Sequence, residues 1–319
     1  MDISIVLEWE NALLSELGRT RQMIVSVFRQ VATRPEQFEL LILFNSNQVS
    51  EEFIRDFIDR TISSFGLEPM DPIRYHDALD AHYFELKNEG TKLAEGRKIL
   101  FVDSDIIPED GWLDKIMEAH ASCPGDLVSG LTHIGSDSFL ERAFSVNWFF
   151  PFPDDNQNLN QVSIIHSNNF MVDRVIMLKF PYPKMPEGMT RGSDLFLWKQ
   201  MQQNGIRLFV HQGARATHPI PNGWSHFFNR GLAEGRDQYV AITQTEINPG
   251  NWMPLFLRSY GGLLKKVFRN TFKKRKQAHI PIWEVPLVIG TMVFYYHLFL
   301  VGGLMTKVVP KVAKESWQI

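Results

Sequence analysis

Two aspartates that follow a short apolar run are the residues of this chain whose type and spacing most suggest chemistry. The run is Ile99-Leu100-Phe101-Val102, and Asp103 and Asp105 come directly after it. Such a run predicts a strand buried on both faces, and residues two apart on a strand point the same way. Neighbouring carboxylates repel unless a cation lies between them, and their oxygens suit Mg²⁺ or Mn²⁺. Alternatively, one aspartate caps the helix after Pro108 and the other lies in water.

Strand-like and helix-like segments alternate around these aspartates. We predict strands at residues 3–7, 38–44, 73–75, 98–103, 126–131, 163–172, 206–210 and 214–218, helices at 13–31, 51–65, 83–96, 108–120 and 194–204, and loops at 151–161 and 181–192. This alternation predicts an α/β fold with a mostly parallel, doubly wound sheet of nucleotide-binding type. Ligands of such sheets bind at the carboxyl ends of the strands, which is where the two aspartates lie.

Composition and charge limit the class of protein. The single cysteine among 319 residues, Cys123, excludes an internal disulfide framework and indicates a reducing compartment, and we expect no signal peptide before the first strand. Residues 257–319 hold 11 Lys or Arg against two Glu, whereas the rest of the chain holds 22 basic and 34 acidic residues. An acidic body with a basic, apolar tail indicates a membrane surface rather than nucleic acid.

The apolar part of the tail is long enough to cross a bilayer. Residues 285–306 contain no Asp, Glu, Lys or Arg, and a spanning helix needs about 20 such residues. A basic cluster at 265–276 precedes them and is expected on the cytoplasmic side. A single span, an in-plane anchor, a helix that forms oligomers and a helix buried against the catalytic domain all remain open.

The order of motifs over residues 1–240 resembles the glycosyltransferase family 2 enzymes with a GT-A fold. The matching pieces are the first strand with its acidic turn, the strand before Asn45, Lys87-Asn88-x-Gly90, Phe101-Val102-Asp103-Ser104-Asp105, Gly111-Trp112-Leu113, Gly192-Ser193-Asp194-Leu195 and His218. The resemblance implies a GT-A catalytic domain over 1–220. We expect a helical extension over 221–262 and a basic, apolar membrane-associating segment over 263–319.

The resemblance also implies roles for single residues. Asp103 faces ribose and metal, Asp105 binds the metal, and His218 completes the metal shell. Asp194 is the general base of an inverting transfer. Glu8, Asn45, Lys87, Asp103 and Ser104 lie near the nucleotide-sugar donor. The alternatives are a helix cap for Asp194, a structural role for His218 and a solvated charge for Lys87.

Four further residues are candidates for contacts with diphosphate or acceptor: Arg191, Arg230, Arg236 and Trp224. The Gln-x-x-Arg-Trp motif of processive polysaccharide synthases is absent from the sequence, which favours the addition of single sugars. Arg230 and Arg236 could instead pair with the nearby Glu234 and Asp237.

Together these features predict a membrane-associated, inverting glycosyltransferase on the cytoplasmic face. The donor is expected to be a UDP-sugar, the cofactor Mg²⁺ or Mn²⁺, and the acceptor a lipid-linked glycan or polysaccharide precursor, with a homo-oligomer through the C-terminal helices as a further expectation. A sugar nucleotidyltransferase is one alternative, although the acidic turn Glu8-Trp9-Glu10-Asn11 replaces its basic phosphate loop. A non-catalytic module docked on a membrane is the other.

Overall fold

A computed structural model describes residues 1–153, 157–185, 191–245, 252–311 and 313. Its strands are β1 (Ile3–Glu8), β2 (Phe38–Phe44), β3 (Ile73–Asp77), β4 (Lys98–Asp103), β5 (Ile107–Pro108), β6 (Leu127–Ile134), β7 (Leu159–Val162), β8 (Asn169–Asp173) and β9 (Leu208–His218). Its helices are α1 (Glu10–Leu14), α2 (Leu17–Val31), α3 (Glu51–Phe65), α4 (Tyr83–Leu93), α5 (Trp112–Ser122), α6 (Phe139–Asn147), α7 (Arg174–Lys179), α8 (Ser193–Gln203), α9 (Gly223–Thr245), α10 (Trp252–Lys274) and α11 (Val285–Val308).

One sheet joins the nine strands of the described chain. Its order is β3-β2-β1-β4-β8-β6-β9-β5, with β7 paired to β9. The strands β3, β2, β1 and β4 are parallel, whereas β8 runs antiparallel to β4 and β6. The predicted α/β fold, with a mostly parallel sheet flanked by helices, is confirmed.

The register of the sheet brings the acidic strand ends together. Glu8 at the end of β1 is paired with Asp103 at the end of β4. Because β8 is antiparallel to β4 and begins where β4 ends, the loop before β8 reaches the same edge, and the Asp103 amide donates to the Asn168 carbonyl at 2.8 Å. This edge therefore gathers polar residues that are distant in the sequence.

The chain divides into two compact units. The first contains Met1–His133, Pro153–Lys184 and Ser193–His218, and the second contains the helices α6, α9, α10 and α11. Alternate residues of β1 show how the first unit is built, because Ile5 joins one apolar cluster with α2 and Val6 joins another with Trp198 of α8. The predicted domain limits at 220 and 262 stay predictions.

In the second unit, glycines let α9 and α11 approach closely. A Cβ atom added at Gly235 would lie 1.9 Å from the Phe299 carbonyl oxygen, and one at Gly302 would lie 2.0 Å from the Leu232 carbonyl oxygen. Residues Ile282–Val308 form the one helix of the described chain that is long and apolar enough to cross a membrane, with a mean hydropathy of 1.8. Length and composition alone do not separate a span from a core helix.

Several predicted element boundaries were wrong. The helix predicted over 13–31 is two helices, because the backbone is extended at Ser15 and Glu16. The two strands predicted within 206–218 are one strand, β9. The strand predicted from 163 begins only at Asn169, and the helix predicted to 96 ends at Leu93. The loops predicted at 151–161 and 181–192 lie partly outside the described residues, and β7 begins within the first.

Substitution of Gly96 tests how closely the segment after α4 packs against β1. An added Cβ would lie 2.5 Å from the Ser4 backbone nitrogen, so Gly96→Ala forces the backbone to shift. We expect the free energy of unfolding to fall by about 1–3 kcal/mol in urea denaturation. In the control Gly18→Ala the added Cβ meets no atom within 4 Å, and the stability should be unchanged or rise by up to about 1 kcal/mol. Equal stability of both variants would contradict this packing.

Candidate active site

Three buried carboxylates lie at the ends of the central strands. Glu8, Asp103 and Asp105 are 0, 3 and 6% exposed. The Glu8 carboxylate accepts from the Asn11 amide nitrogens and, at 3.4 Å, from the Ser104 backbone nitrogen. Glu8 therefore fixes the turn that follows β4. Glu8 thus lies beside Asp103 and Ser104, and its contact with a donor stays a prediction.

Lys87 is the cation that holds this acidic group. Its Nζ is fully buried and donates to Asp103 Oδ1 at 2.6 Å, to the Tyr83 hydroxyl at 2.7 Å and to the Ser167 carbonyl at 2.5 Å. An ammonium has three hydrogens, so these contacts use them all. The structure thus gives Lys87 a positioning role, and it is not a solvated charge. A direct contact with the donor stays a prediction.

The acidic turn after β1 also fixes the start of α4. Glu10 accepts from the Tyr83 backbone nitrogen at 2.6 Å and from His82 Nδ1 at 3.0 Å. This contact raises the pKa of His82 above its ordinary value. A carboxylate at a helix N-terminus satisfies free N–H groups and the helix dipole. Tyr83 and Lys87, one turn apart on α4, consequently both point at Asp103.

The carboxylates perturb one another. Burial raises the pKa of Glu8 well above its ordinary value, and the charge of Asp103 raises it further. Burial also raises the pKa of Asp103, which Lys87 opposes and Asp105 reinforces. A divalent cation bound here would reduce the repulsion between these neighbouring carboxylates.

Asp105 and His218 form the second part of the site. His218 Nε2 lies 3.8 Å from Asp105 Oδ2. Arg19 joins the segments that carry them, because it donates to the Asp105 carbonyl at 2.6 Å and to the Thr217 hydroxyl at 2.9 Å. Burial lowers the pKa of the nearby His166 to about 4, and the charge of His218 adds to this effect. His166 is therefore neutral at pH 7.

The donor set fits a divalent metal in part. Asp105 and His218 present one oxygen and one nitrogen ligand at the edge of the sheet. Both oxygens of Asp103 already accept hydrogen bonds, Oδ1 from Lys87 and Oδ2 from Tyr83 at 2.6 Å. Across the described residues, no three His, Cys, Asp or Glu side chains form a metal-binding group. Among the described residues, Asp105 and His218 are two of the predicted ligands, and the metal role of Asp103 stays a prediction.

Asp194 lies in the first turn of α8, at the start of the helix as predicted. Its Oδ2 accepts from the Ser167 hydroxyl at 3.0 Å, and its Oδ1 accepts from the Leu195 backbone nitrogen. Burial raises the pKa of Asp194, which the bond from Ser167 opposes. The Ser167 carbonyl meanwhile accepts from Lys87, so a single residue connects Asp194 to the Asp103 site.

The other predicted site residues have different surroundings. Asn45 is buried, and its amide donates to the Ala81 carbonyl and accepts from the Asn47 backbone nitrogen.

The remaining four, Arg191, Arg230, Arg236 and Trp224, belong to the second unit. Arg230 donates to Glu234 at 3.1 Å, and the fully buried Arg236 donates to Asp237 at 2.9 Å, as the alternative reading expected. Trp224 is 72% exposed. Donor or acceptor contacts of these residues stay predictions.

The sequence analysis assigned no site role to Tyr83, Asn11, Arg19 or Ser167. A partial signal existed for the first two, because Tyr83 precedes Lys87 by four residues on a predicted helix and Asn11 closes the acidic turn. Arg19 and Ser167 act through tertiary contacts that no local pattern shows.

The sheet and its flanking helices have the architecture of the GT-A glycosyltransferase fold. Among solved structures, the chain is similar to a mannosyltransferase from Pyrobaculum calidifontis, in complex with GDP-Man and Mn²⁺. The TM-score is 0.56 over 97% of this chain and 87% of that one, at 10% sequence identity. No family model and no curated protein matches the chain. The likeness confirms the predicted fold, since at this identity it reports on architecture.

Removal of the buried ammonium should destabilise the site strongly. In Lys87→Met the Asp103 carboxylate loses its buried cation, and we expect the free energy of unfolding in urea to fall by about 3–5 kcal/mol. The control Lys92→Met removes an exposed lysine of the same helix that pairs with Glu89. It should change the free energy of unfolding by less than about 0.5 kcal/mol.

A double variant isolates the cause. Asp103→Asn added to Lys87→Met removes the unpaired charge and should recover part of the loss. A full additive loss in the double variant would contradict a direct coupling between these residues.

Proposed function

We propose that this protein is an inverting glycosyltransferase of the family 2 type. It transfers a single sugar from a nucleotide-diphospho-sugar to a hydroxyl group of a lipid-linked glycan or polysaccharide precursor. The observation that carries this proposal is the link from Lys87 through Ser167 to Asp194, which joins an acidic site at the strand ends to a carboxylate of raised pKa. If Asp194 only capped the helix α8, this connection to the Asp103 site would not be needed.

The chemistry follows from the positions of these groups. Asp194 accepts the proton of the acceptor hydroxyl while that oxygen bonds to the anomeric carbon. The bond from that carbon to the diphosphate oxygen breaks, and its electron pair leaves with the diphosphate. Attack opposite the leaving group inverts the configuration. A raised pKa suits a general base that works near neutral pH.

Asp105 and His218 would hold Mg²⁺ or Mn²⁺, with the remaining ligands from the donor phosphates. The bound cation supplies a positive charge for the departing diphosphate. Asp103, fixed by Lys87 and Tyr83, then accepts hydrogen bonds from the ribose, and Glu8 holds the turn that carries Ser104. The resemblance favours a UDP-sugar, and the GDP-Man of the structural neighbour makes GDP-mannose the second candidate.

The composition of the C-terminal tail supports a location of the protein on the cytoplasmic face of a membrane. The basic, apolar composition of residues 257–319 fits a lipid surface, where a lipid-linked acceptor would be found. Association of the C-terminal helices into a homo-oligomer remains a prediction.

Donor binding and transfer test the roles of two aspartates separately. Calorimetric titration of UDP-, GDP- and TDP-sugars with Mn²⁺ should identify one donor class. Asp105→Asn should weaken the metal-dependent binding at least about tenfold. Asp194→Asn should keep the dissociation constant and slow transfer by about 100-fold or more. The exposed control Asp59→Asn should change neither.

The alternatives give different results in the same experiments. A non-catalytic module would bind no nucleotide-sugar in a metal-dependent way. A nucleotidyltransferase would release pyrophosphate from a nucleoside triphosphate and a sugar phosphate. Normal transfer by Asp194→Asn would show that another group is the base.

The hydrogen bond from Ser167 to Asp194 should affect the pH dependence of kcat/KM. A base is active when deprotonated, so kcat/KM falls as the pH falls through the pKa of Asp194. Ser167→Ala removes a bond to the carboxylate and therefore raises this pKa further. We expect the acid limb to move upward by about 0.5–1 pH unit. The exposed control Ser163→Ala should keep the wild-type limb, and an unmoved limb in Ser167→Ala would contradict the link.

A further inference from the structure

The helix α11 has one buried face and an opposite face with exposed apolar side chains. Buried residues such as Val288, Met292 and Tyr295 pack inside the second unit. Opposite them, Leu287, Phe294, Val301, Leu304 and Val308 are 37–77% exposed. These five recur at spacings of seven, seven, three and four residues, which places them along one side of a helix about 36 Å long. Apolar exposure of this extent indicates a binding surface.

The neighbouring helix α10 has an exposed apolar stripe of its own. It consists of Met253, Leu257, Phe268 and Phe272, which are 38, 46, 49 and 60% exposed. Their spacings of four, eleven and four residues place them on one line along the helix. Tyr260 of α10 also contacts His297 of α11, with the hydroxyl 3.2 Å from Nε2.

A row of positive charge runs beside this apolar stripe. Arg258, Lys265, Arg269 and Lys273 are exposed and recur at spacings of seven, four and four residues. The ion pairs within the described part of the second unit use none of these four. An apolar stripe beside a basic row is the arrangement of helices that lie in the plane of an anionic bilayer surface.

The packing of α11 argues against a transmembrane span. Its inner face contacts α9, where Tyr295 donates to Glu234 at 3.0 Å and the close approach at Gly235 leaves no space for lipid. That stretch of α9 also carries Arg230 and Arg236. A crossing α11 would either lose this packing or take charged residues into hydrocarbon, at about 2.5–3.5 kcal/mol for each charge at the centre.

We infer that α10 and α11 form an in-plane docking surface for a bilayer with anionic headgroups. The apolar stripes enter the boundary between headgroups and acyl chains, and the basic row contacts lipid phosphates. The choice of a membrane as the occupant rests on the proposed function, in which the acceptor is lipid-linked. A second copy of the chain is a poorer occupant, because a symmetric contact would bring two basic rows into one interface.

Vesicle flotation of the full chain tests the inference without any donor or acceptor. The wild-type protein should float with vesicles of phosphatidylcholine in which about three in ten lipids are phosphatidylglycerol, and less with pure phosphatidylcholine. Binding to the anionic vesicles should weaken as salt rises, toward the level seen with pure phosphatidylcholine. Activity with a soluble acceptor analogue, measured separately, distinguishes a failure of docking from a failure of the proposed function.

Two sets of variants divide the surface into its parts. Phe268→Ser with Phe272→Ser should weaken binding to both kinds of vesicle by at least about tenfold. Lys265→Gln with Arg269→Gln should weaken binding to anionic vesicles by about 20-fold or more. Binding to neutral vesicles should not change. The matched controls are Phe65→Ser, whose side chain is 45% exposed on α3, and Lys199→Gln on α8, and both should bind as wild type.

Four results would overturn the inference. The protein could stay in the aqueous phase with both vesicles, or the phenylalanine variant could bind as wild type. Retention in the membrane after high salt and alkaline carbonate would show that α11 spans it. A stable dimer in sedimentation velocity, lost in the phenylalanine variant, would assign the surface to a second copy.

Discussion

The buried ion pair between Lys87 and Asp103 is the interaction on which the candidate site depends. Both side chains are removed from water, and each would be costly to bury alone. Their contacts join the strand β4, the helix α4 and the loop before β8. Because Lys87 donates to three acceptors and Asp103 accepts from Lys87, Tyr83 and Asn11, the desolvated charges are compensated and their geometry is fixed. A displaced Lys87 would release both the acidic edge and the Ser167 loop.

The same arrangement places neighbouring carboxylates together at the edge of the sheet. Glu8 and Asp103 have raised pKa values because burial and neighbouring carboxylates disfavour their ionised forms. A bound cation would offset the charge of these carboxylates. Asp194, held by Ser167, lies outside this acidic group but shares a residue with it. A base and a charge sink that are connected through one loop are what the proposed transfer needs.

The second unit shows how packing assigns roles to apolar residues. The composition of α11 is compatible with a core helix, a membrane span and an in-plane helix. Glycines at the contact with α9 bring the backbones together and bury one face of α11, so the opposite face is the part left to meet another surface. The likeness to a mannosyltransferase extends over nearly the whole chain at 10% identity, which indicates that architecture persists where individual side chains differ.

The sequence alone determined the α/β class, the position of the aspartates at a strand end and Asp194 at a helix start, because apolar runs, periodicity and turn residues are local signals. The helix over Glu51–Phe65 was predicted with both ends correct, since Ser50 and Gly66 are clear capping residues. The break after Leu14 and the late start of β8 were not predicted. Only the tertiary structure decided that Lys87 is a buried partner of Asp103, that Arg19 fixes Asp105, and that Ser167 reaches Asp194. Those contacts join residues 16 to 86 positions apart, and a local pattern carries no information about partners at such distances.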